Sequence, residues 1–259
     1  MARFGVLIIC SLMGTLASTH AKAAAVSVAS PEAVFLDVAR QIGGPQVAAE
    51  LIKSTARPGQ RPQILIQEGG ADDGFGPGAL ERLHADAVVT ARAVAPASAG
   101  DGPSWYDLPS MDAVGEALAK AIVRAAPGEA AGIETRRDGF LRAIAVLKLK
   151  SQEIVDGYGG TSVLVTDPRF GPFCRSLGLT AVPAVGAEAA KSAIASRKGI
   201  VLIYNAEAPG GLGPLKALAE DAGLPLVGLR LTLPSGLSYQ QWIGREINLI
   251  HGALNEAAP

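Results

Sequence analysis

The sequence predicts an α/β protein of two lobes, each a small, mostly parallel sheet with flanking helices, joined by one long backbone helix. Three observations carry this reading. Short runs of β-formers alternate with helical stretches along most of the chain, as in successive βαβ units. Between Pro127 and Gly157 the texture changes: Ile133, Phe140, Leu147 and Ile154 recur every seven residues, with Ile144 between them and Arg136, Lys148 and Glu153 elsewhere. About 30 helical residues at ~1.5 Å rise span about 45 Å, more than one small domain is wide, so this helix is expected to connect two lobes. Finally, a chain of 259 residues with 49% hydrophobic composition has enough apolar material for one large core or two smaller ones, and the alternation favours two lobes.

The chain opens on MARFGVLIICSLMGTLASTHAKA, with Arg3, an apolar stretch from Phe4 to about Leu16, and a small-x-small ending at Ala21 and Ala23. These are the marks of a signal peptide over residues 1–23, which predicts a soluble periplasmic protein after cleavage. Cys10 follows Ile9 rather than the small residue that a lipid-attachment site wants. No later apolar run reaches the roughly 18 residues of a membrane helix.

A first lobe is expected over residues 24–126. VSVAS (Val26 to Ser30) reads as a strand, and Pro31 opens a helix that stops at Gly43 and Gly44. QVAAELI and QILIQ read as two more strands, followed by a loop rich in Gly and Asp (Glu68 to Gly78), a short helix through His84, the strand ADAVVTA and a loose stretch ending at Pro103. The long helix takes residues 127–157. A second lobe over 158–259 then repeats the alternation: SVLVT, a helix to Leu177, TAVPAV, AEAAKSAIAS, GIVLIY, a helix from about Leu215, LPLVGLRL, and a last helix from Tyr239 to about Ala257. That gives the second lobe four strands, expected to be parallel.

Charge and rare residues exclude several functions. Loss of Arg3 and Lys22 with the leader leaves 21 basic against 24 acidic residues, a net charge near −3, so nucleic acid is not an expected partner. Only Cys174 remains in the mature chain, which rules out a disulfide framework and reads as core filler. Met111 is the only mature methionine, so a thioether copper site is excluded. A hydrolase is poorly supported: the mature histidines, His84 and His251, have no partner at metal or triad spacing, and no G-x-S-x-G elbow occurs.

SWYDLPSMDAVGEALAKAIVRAAPGEAAGIETRRDGFLRAI, with Trp105, Asp107, Ala117, Leu118, Pro127 and Ala130, resembles the stretch leading into the backbone helix of the zinc/manganese class of periplasmic solute-binding proteins of ABC transporters. VLVTDPRFGPFCRSLGL resembles that family's strand, ligand, aromatic and Gly-Leu signature. SGLSYQQWIGREINLIHGAL resembles its terminal helix, with Tyr239 and Asn248 at matching positions, and ARQIGG and ADAVV also fit. The resemblance is weak between Lys53 and Gly102. It implies two lobes closing a cleft over a metal ion, and a monomer that docks on an inner-membrane ABC permease.

The departures from that pattern fall on the metal ligands. Where the family places its first His, this chain has Gly59 or Gln63; beyond ADAVV its strongest donor is Ser98; and where the family has an Asp near the last strand, it has Leu231 or Thr232. Only Asp167 keeps a charged donor, at the position where manganese and iron binders of the family carry Glu. A divalent metal ion therefore remains an open cofactor assignment, while tight zinc binding is not expected.

Asp167 followed by Pro168 could cap a helix start, but Pro172 argues against that, which leaves two roles open for Asp167: contact with a ligand, or structural pairing with Arg169. A helix started at Pro168 would place Pro172 where a backbone N–H should bond back four residues, at a cost of roughly 3 kcal/mol. Starting at Pro172 with Gly171 as cap leaves Asp167 to Phe170 as a loop at a strand end, where open α/β sheets bind ligands. Arg169 beside Asp167 would repel a bare cation and suit a ligand with an anionic group. Asn205 and Glu207 follow another strand end, and the APGGLGP run after them is either an anion cradle or a turn. Glu68, Asp72 and Asp73 supply oxygen donors for a hard cation or form a solvated loop. Trp105 and Asp107 are expected to anchor a helix start. The functional reading is a non-enzymatic solute-binding component of an ABC-type metal or metal-chelate importer with a divergent site. The alternatives are an accessory exported protein of the same fold and a binder of anionic or organic ligands.

Overall fold

The computed structural model describes residues 25–52, 61–69, 83–97, 102–196, 198–208 and 212–257. The leader, Gly59, Asp72, Asp73 and Ser98 lie outside them. Four strands, β1 (Val26–Ser30), β2 (Val47–Leu51), β3 (Ile64–Gln67) and β4 (Ala87–Thr90), form an all-parallel sheet in the order β2-β1-β3-β4. A second all-parallel sheet of β5 (Ser162–Val165), β6 (Thr180–Pro183), β7 (Leu202–Asn205) and β8 (Leu226–Leu229) repeats that order as β6-β5-β7-β8. The central strands read VSVAS, ILIQ, SVLV and LIYN because parallel strands covered on both faces need near-continuous apolar residues.

In each sheet the chain turns outward in opposite directions from the first and third strands, so the switch points lie between β1 and β3 and between β5 and β7. Ligands of open α/β sheets bind outside the carboxyl ends of the strands at such points. In the first sheet these ends carry Ser30 and Glu68. In the second they carry Asp167 and Asn205.

Helix α1 (Ala33–Gly43) packs beneath the first sheet and ends at Gly44, whose φ of 60° suits glycine. A short helix α2 (Ala91–Val94) follows β4 within the stretch expected to be loose. A 3₁₀ turn at Ser104–Tyr106 then leads to α3 (Leu108–Ala125), with Asp107 as the expected anchor: its carboxylate accepts from the Ser110 amide at 2.9 Å.

Helix α4 runs unbroken from Ala130 to Tyr158, through Gly139, over 29 residues, or about 44 Å at ~1.5 Å each. Its buried residues Ile133, Phe140, Ile144, Leu147 and Ile154 are those of the seven-residue pattern. Near its start Arg136 donates to the Ile42 carbonyl at 2.8 Å and the Gly43 carbonyl at 3.0 Å, capping α1. Farther along, Leu147 meets Gly244 of α8 (Tyr239–Ala257). Helices α5 (Gly171–Ser176), α6 (Ala187–Ala195) and α7 (Leu212–Asp221) complete the second half. One continuous apolar cluster, from Val26 through Phe140 and Tyr239 to Leu254, joins both sheets and α4. No helix among the described residues is long and apolar enough to cross a membrane.

Candidate functional site

At the carboxyl end of β5, Thr166 makes the last strand bond, its amide donating to the Ile203 carbonyl at 2.9 Å. Asp167 then caps a 3₁₀ turn at Pro168–Phe170 and accepts from the Arg169 amide at 3.1 Å. This corrects the expectation of a loop capped at Gly171. The chain avoids the Pro172 conflict by splitting the segment: the turn closes through the Phe170 amide and Asp167 carbonyl at 3.1 Å, and α5 starts afresh at Gly171 with Pro172 in its first turn, where no N–H is needed.

The Asp167 carboxylate is fully engaged. Oδ1 accepts from the Arg169 amide and from Arg169 Nε at 2.9 Å, while Oδ2 accepts from Arg169 Nη2 at 2.6 Å and from Asn205 Nδ2 at 3.0 Å. A carboxylate offers about four lone-pair directions, and four donors occupy them. Burial would push this carboxyl up, but the Arg169 guanidinium and amide, with Asn205, outweigh it and hold Asp167 below the usual carboxylate range. Its side chain is 13% exposed, that of Arg169 57%.

Asn205 passes the network on. Its Oδ1 accepts from the Glu207 amide at 2.8 Å. Glu207 in turn accepts from the Leu231 amide at 2.8 Å, the Thr232 amide at 3.2 Å and the Thr232 hydroxyl, and its Oε1 lies 3.5 Å from Arg230 Nη2. Asp167, Arg169, Asn205 and Glu207 thus form one network across the ends of β5, β7 and β8. Leu231 and Thr232 join it through backbone amides and a hydroxyl, as donors, so the position expected to hold a metal-binding Asp holds the opposite polarity. Beside the network, Asp167, Asn205, Tyr204, Gly186, Pro214 and Leu215 line a cavity of about 300 Å³ between the starts of α6 and α7.

The other expected donors are elsewhere. Gln63 sits at the opposite, amino end of the first sheet, where its Oε1 accepts from the Ser27 amide at 3.1 Å. Glu68, at the first sheet's switch point, is buried and accepts from the Ser104 amide at 2.9 Å and its hydroxyl at 2.8 Å, with Arg92 at 3.3 Å. The carbonyl of His84 accepts from Arg61, and the His251 ring meets Tyr158 edge-on at 6.0 Å. Cys174 is buried, and burial pushes its thiol up to about 12, which leaves it inert. Among the described residues no three His, Cys, Asp or Glu side chains are grouped as metal ligands.

Sequence reasoning missed a second polar group, around Glu246, Tyr106 and Arg230. Its signal was present: α8 buries Tyr239, Trp242, Ile243, Ile247 and Ile250 on one stripe, and Glu246 is the acid on that stripe.

No protein-family model matches the sequence, and no curated protein matches it. Solved structures do. The periplasmic zinc-binding protein TroA from Treponema pallidum superposes with a TM-score of 0.73 at 15% identity over 89% of this chain and 99% of its own. The Zn(II)-bound ZnuA-like domain of Streptococcus pneumoniae AdcA gives 0.71 at 13% identity, covering 88% and 98%. The solute-binding protein FpvC from Pseudomonas aeruginosa, in complex with Mn²⁺, gives 0.68 at 14%, covering 90% and 100%. At these identities the likeness is one of fold, and the fold is that of the TroA-like solute-binding proteins.

Proposed function

We propose that this protein is the exported solute-binding component of an ABC-type importer, working with an inner-membrane permease in the periplasm. Its ligand is a metal chelate or another small solute with an anionic face, and no reaction is catalysed. Asp167, Arg169, Asn205 and Glu207 form the ligand-facing end of the second sheet. The observation that carries this reading is the saturation of Asp167 by Arg169 and Asn205. A bare cation would have to displace a bidentate guanidinium, whereas the positive charge of Arg169, whose side chain is 57% exposed, favours an anionic group. A divalent metal fits this donor set only when it arrives with its own ligands. The shared fold supports the solute-binding role.

The same saturation favours a second reading: an accessory protein that keeps the fold and captures no solute, since a carboxylate satisfied internally needs no ligand. A thermal-shift panel on the mature protein separates the two. A ligand at about a hundred times its Kd stabilises the fold by about 2.7 kcal/mol, a readily measured rise in Tm. Inorganic phosphate, citrate, or the manganese or ferric citrate complex is expected to raise Tm in wild type, and Arg169→Ala to abolish the rise. A panel with no shift in wild type leaves the accessory reading standing.

A further inference from the structure

We propose that Glu246 keeps its proton in the folded protein and, through Tyr106, acts as a proton-operated latch between the two halves. Glu246 is 3% exposed. Its Oε1 accepts from the Arg230 amide at 2.8 Å and from Trp242 Nε1 at 2.8 Å. Its Oε2 lies 3.1 Å from the Tyr106 hydroxyl, which also hydrogen-bonds the Arg230 carbonyl.

Counting hydrogens places the proton. A tyrosine hydroxyl has one hydrogen, and a carbonyl oxygen can only accept. The hydrogen of Tyr106 therefore goes to the Arg230 carbonyl, and the contact with Glu246 is a hydrogen bond only when Oε2 carries a proton and donates it to the Tyr106 oxygen. In that state four donors are all satisfied: the Arg230 amide and the Trp242 indole on Glu246 Oε1, the Glu246 hydroxyl on the Tyr106 oxygen, and the Tyr106 hydroxyl on the Arg230 carbonyl. Without the proton, either two oxygens face each other in a buried site or Tyr106 abandons the Arg230 carbonyl. Tyr106 cannot relieve this by ionising, because burial and the neighbouring Glu246 push its hydroxyl up.

The surroundings agree. Burial pushes Glu246 up to about 7 despite the hydrogen bonds it accepts from the Arg230 amide and the Trp242 indole, with Glu207 adding to the rise. Arg230 turns its guanidinium toward Glu207, and Glu207 and Cys174 of α5 are further titratable groups near Tyr106. From α4, Lys150 reaches α8 at Asn248 and Leu147 reaches it at Gly244; from α1, Asp37 and Gln41 reach it at Tyr239 and Gln240. No cation among these contacts is directed at Glu246.

The group spans the junction. Tyr106 belongs to the turn that follows the first sheet, whereas Arg230 follows β8 and Glu246 lies on α8. Its ring stacks on Phe173 at 4.5 Å, and the neighbouring Gly102 approaches Pro172 so closely that a Cβ would lie 2.4 Å away. Ionising Glu246 removes a donor from this seam. The latch is independent of what ligand the cleft takes.

Because the folded-state value is raised, the stabilisation is full below the ordinary glutamate value of 4.5 and is lost as pH rises through about 7. Wild-type Tm is expected to fall across that interval. Glu246→Gln, which keeps both the acceptor at Oε1 and a permanent donor toward Tyr106, is expected to lose that component of the slope. Infrared spectra of the wild type should show a protonated-carboxyl band that disappears with a midpoint of about 7, absent from Glu246→Gln. Small-angle scattering should show the wild-type radius of gyration rising through the same midpoint. Parallel Tm slopes in the two proteins, or a wild type without the band, would overturn the protonated state; a constant radius of gyration would overturn the latch. If Glu246→Gln does not fold, the wild-type band and radius decide.

Discussion

Replacing Tyr106 with alanine is expected to lower the unfolding free energy by about 3–5 kcal/mol, the range for large aromatic truncations in a core. The side chain is fully buried and touches three rings: Phe173 stacked at 4.5 Å, Phe170 edge-on at 5.9 Å and Trp242 tilted at 5.8 Å. Truncation opens a cavity at the seam and strands the Arg230 carbonyl and Glu246 Oε2. Tyr106→Phe separates the two effects, because it keeps the packing and removes only the hydroxyl, at about 1–3 kcal/mol. Since one apolar cluster runs through both halves, urea unfolding should remain a single transition in each variant. A loss below about 1 kcal/mol for the alanine variant, on the usual scale of interior truncations, would mean that this residue does not hold the junction.

Glu207→Ala is expected to cost about 2–4 kcal/mol with no ligand present, since it removes charge-assisted hydrogen bonds. Glu207 accepts from two consecutive amides and a hydroxyl in the Leu231–Thr232 segment and thereby fixes the path from β8 toward α8. Glu207→Gln, which still offers one acceptor, should recover part of the loss. An alanine variant as stable as wild type in ligand-free buffer would assign Glu207 to ligand contact alone. Its position in the network argues for a supporting role beside whatever ligand role it has.

How far the sequence spoke depended on the range of each interaction. The strands and α4 were legible because alternation and a seven-residue repeat are local signals: VSVAS is β1, and the repeat from Ile133 to Ile154 is the buried stripe of α4. The 3₁₀ turn after Asp167 was not foreseen, because two prolines four residues apart admit a loop or a split helix, and the Asp167 carbonyl decides between them only once the turn has closed. Asp167, Arg169, Asn205 and Glu207 could be named from strand ends, and the pairing of Asp167 with Arg169 was an open alternative. The bonds from Asn205 to Asp167 and from the Leu231–Thr232 segment to Glu207 could not be read, because they depend on β7 lying beside β5 and β8 beside β7. Gln63 shows the converse error. Counting along the chain put it near a family ligand position, while the register of β3 on β1 places it at the far end of the sheet.

The most direct test of the internally satisfied Asp167 is a zinc titration of the mature protein after chelator treatment, followed by calorimetry, with the metal content measured after dialysis. High-affinity zinc sites rely on about four ligands with imidazole or thiolate among them, and here the one carboxylate at the expected position is held by Arg169 and Asn205. The expected result is no saturable heat at micromolar zinc and no metal retained, in wild type and in Asp167→Ala alike. One equivalent of zinc retained by wild type and lost in Asp167→Ala would contradict it, and would mean that donors beyond the described residues, such as Asp72 and Asp73, reach Asp167.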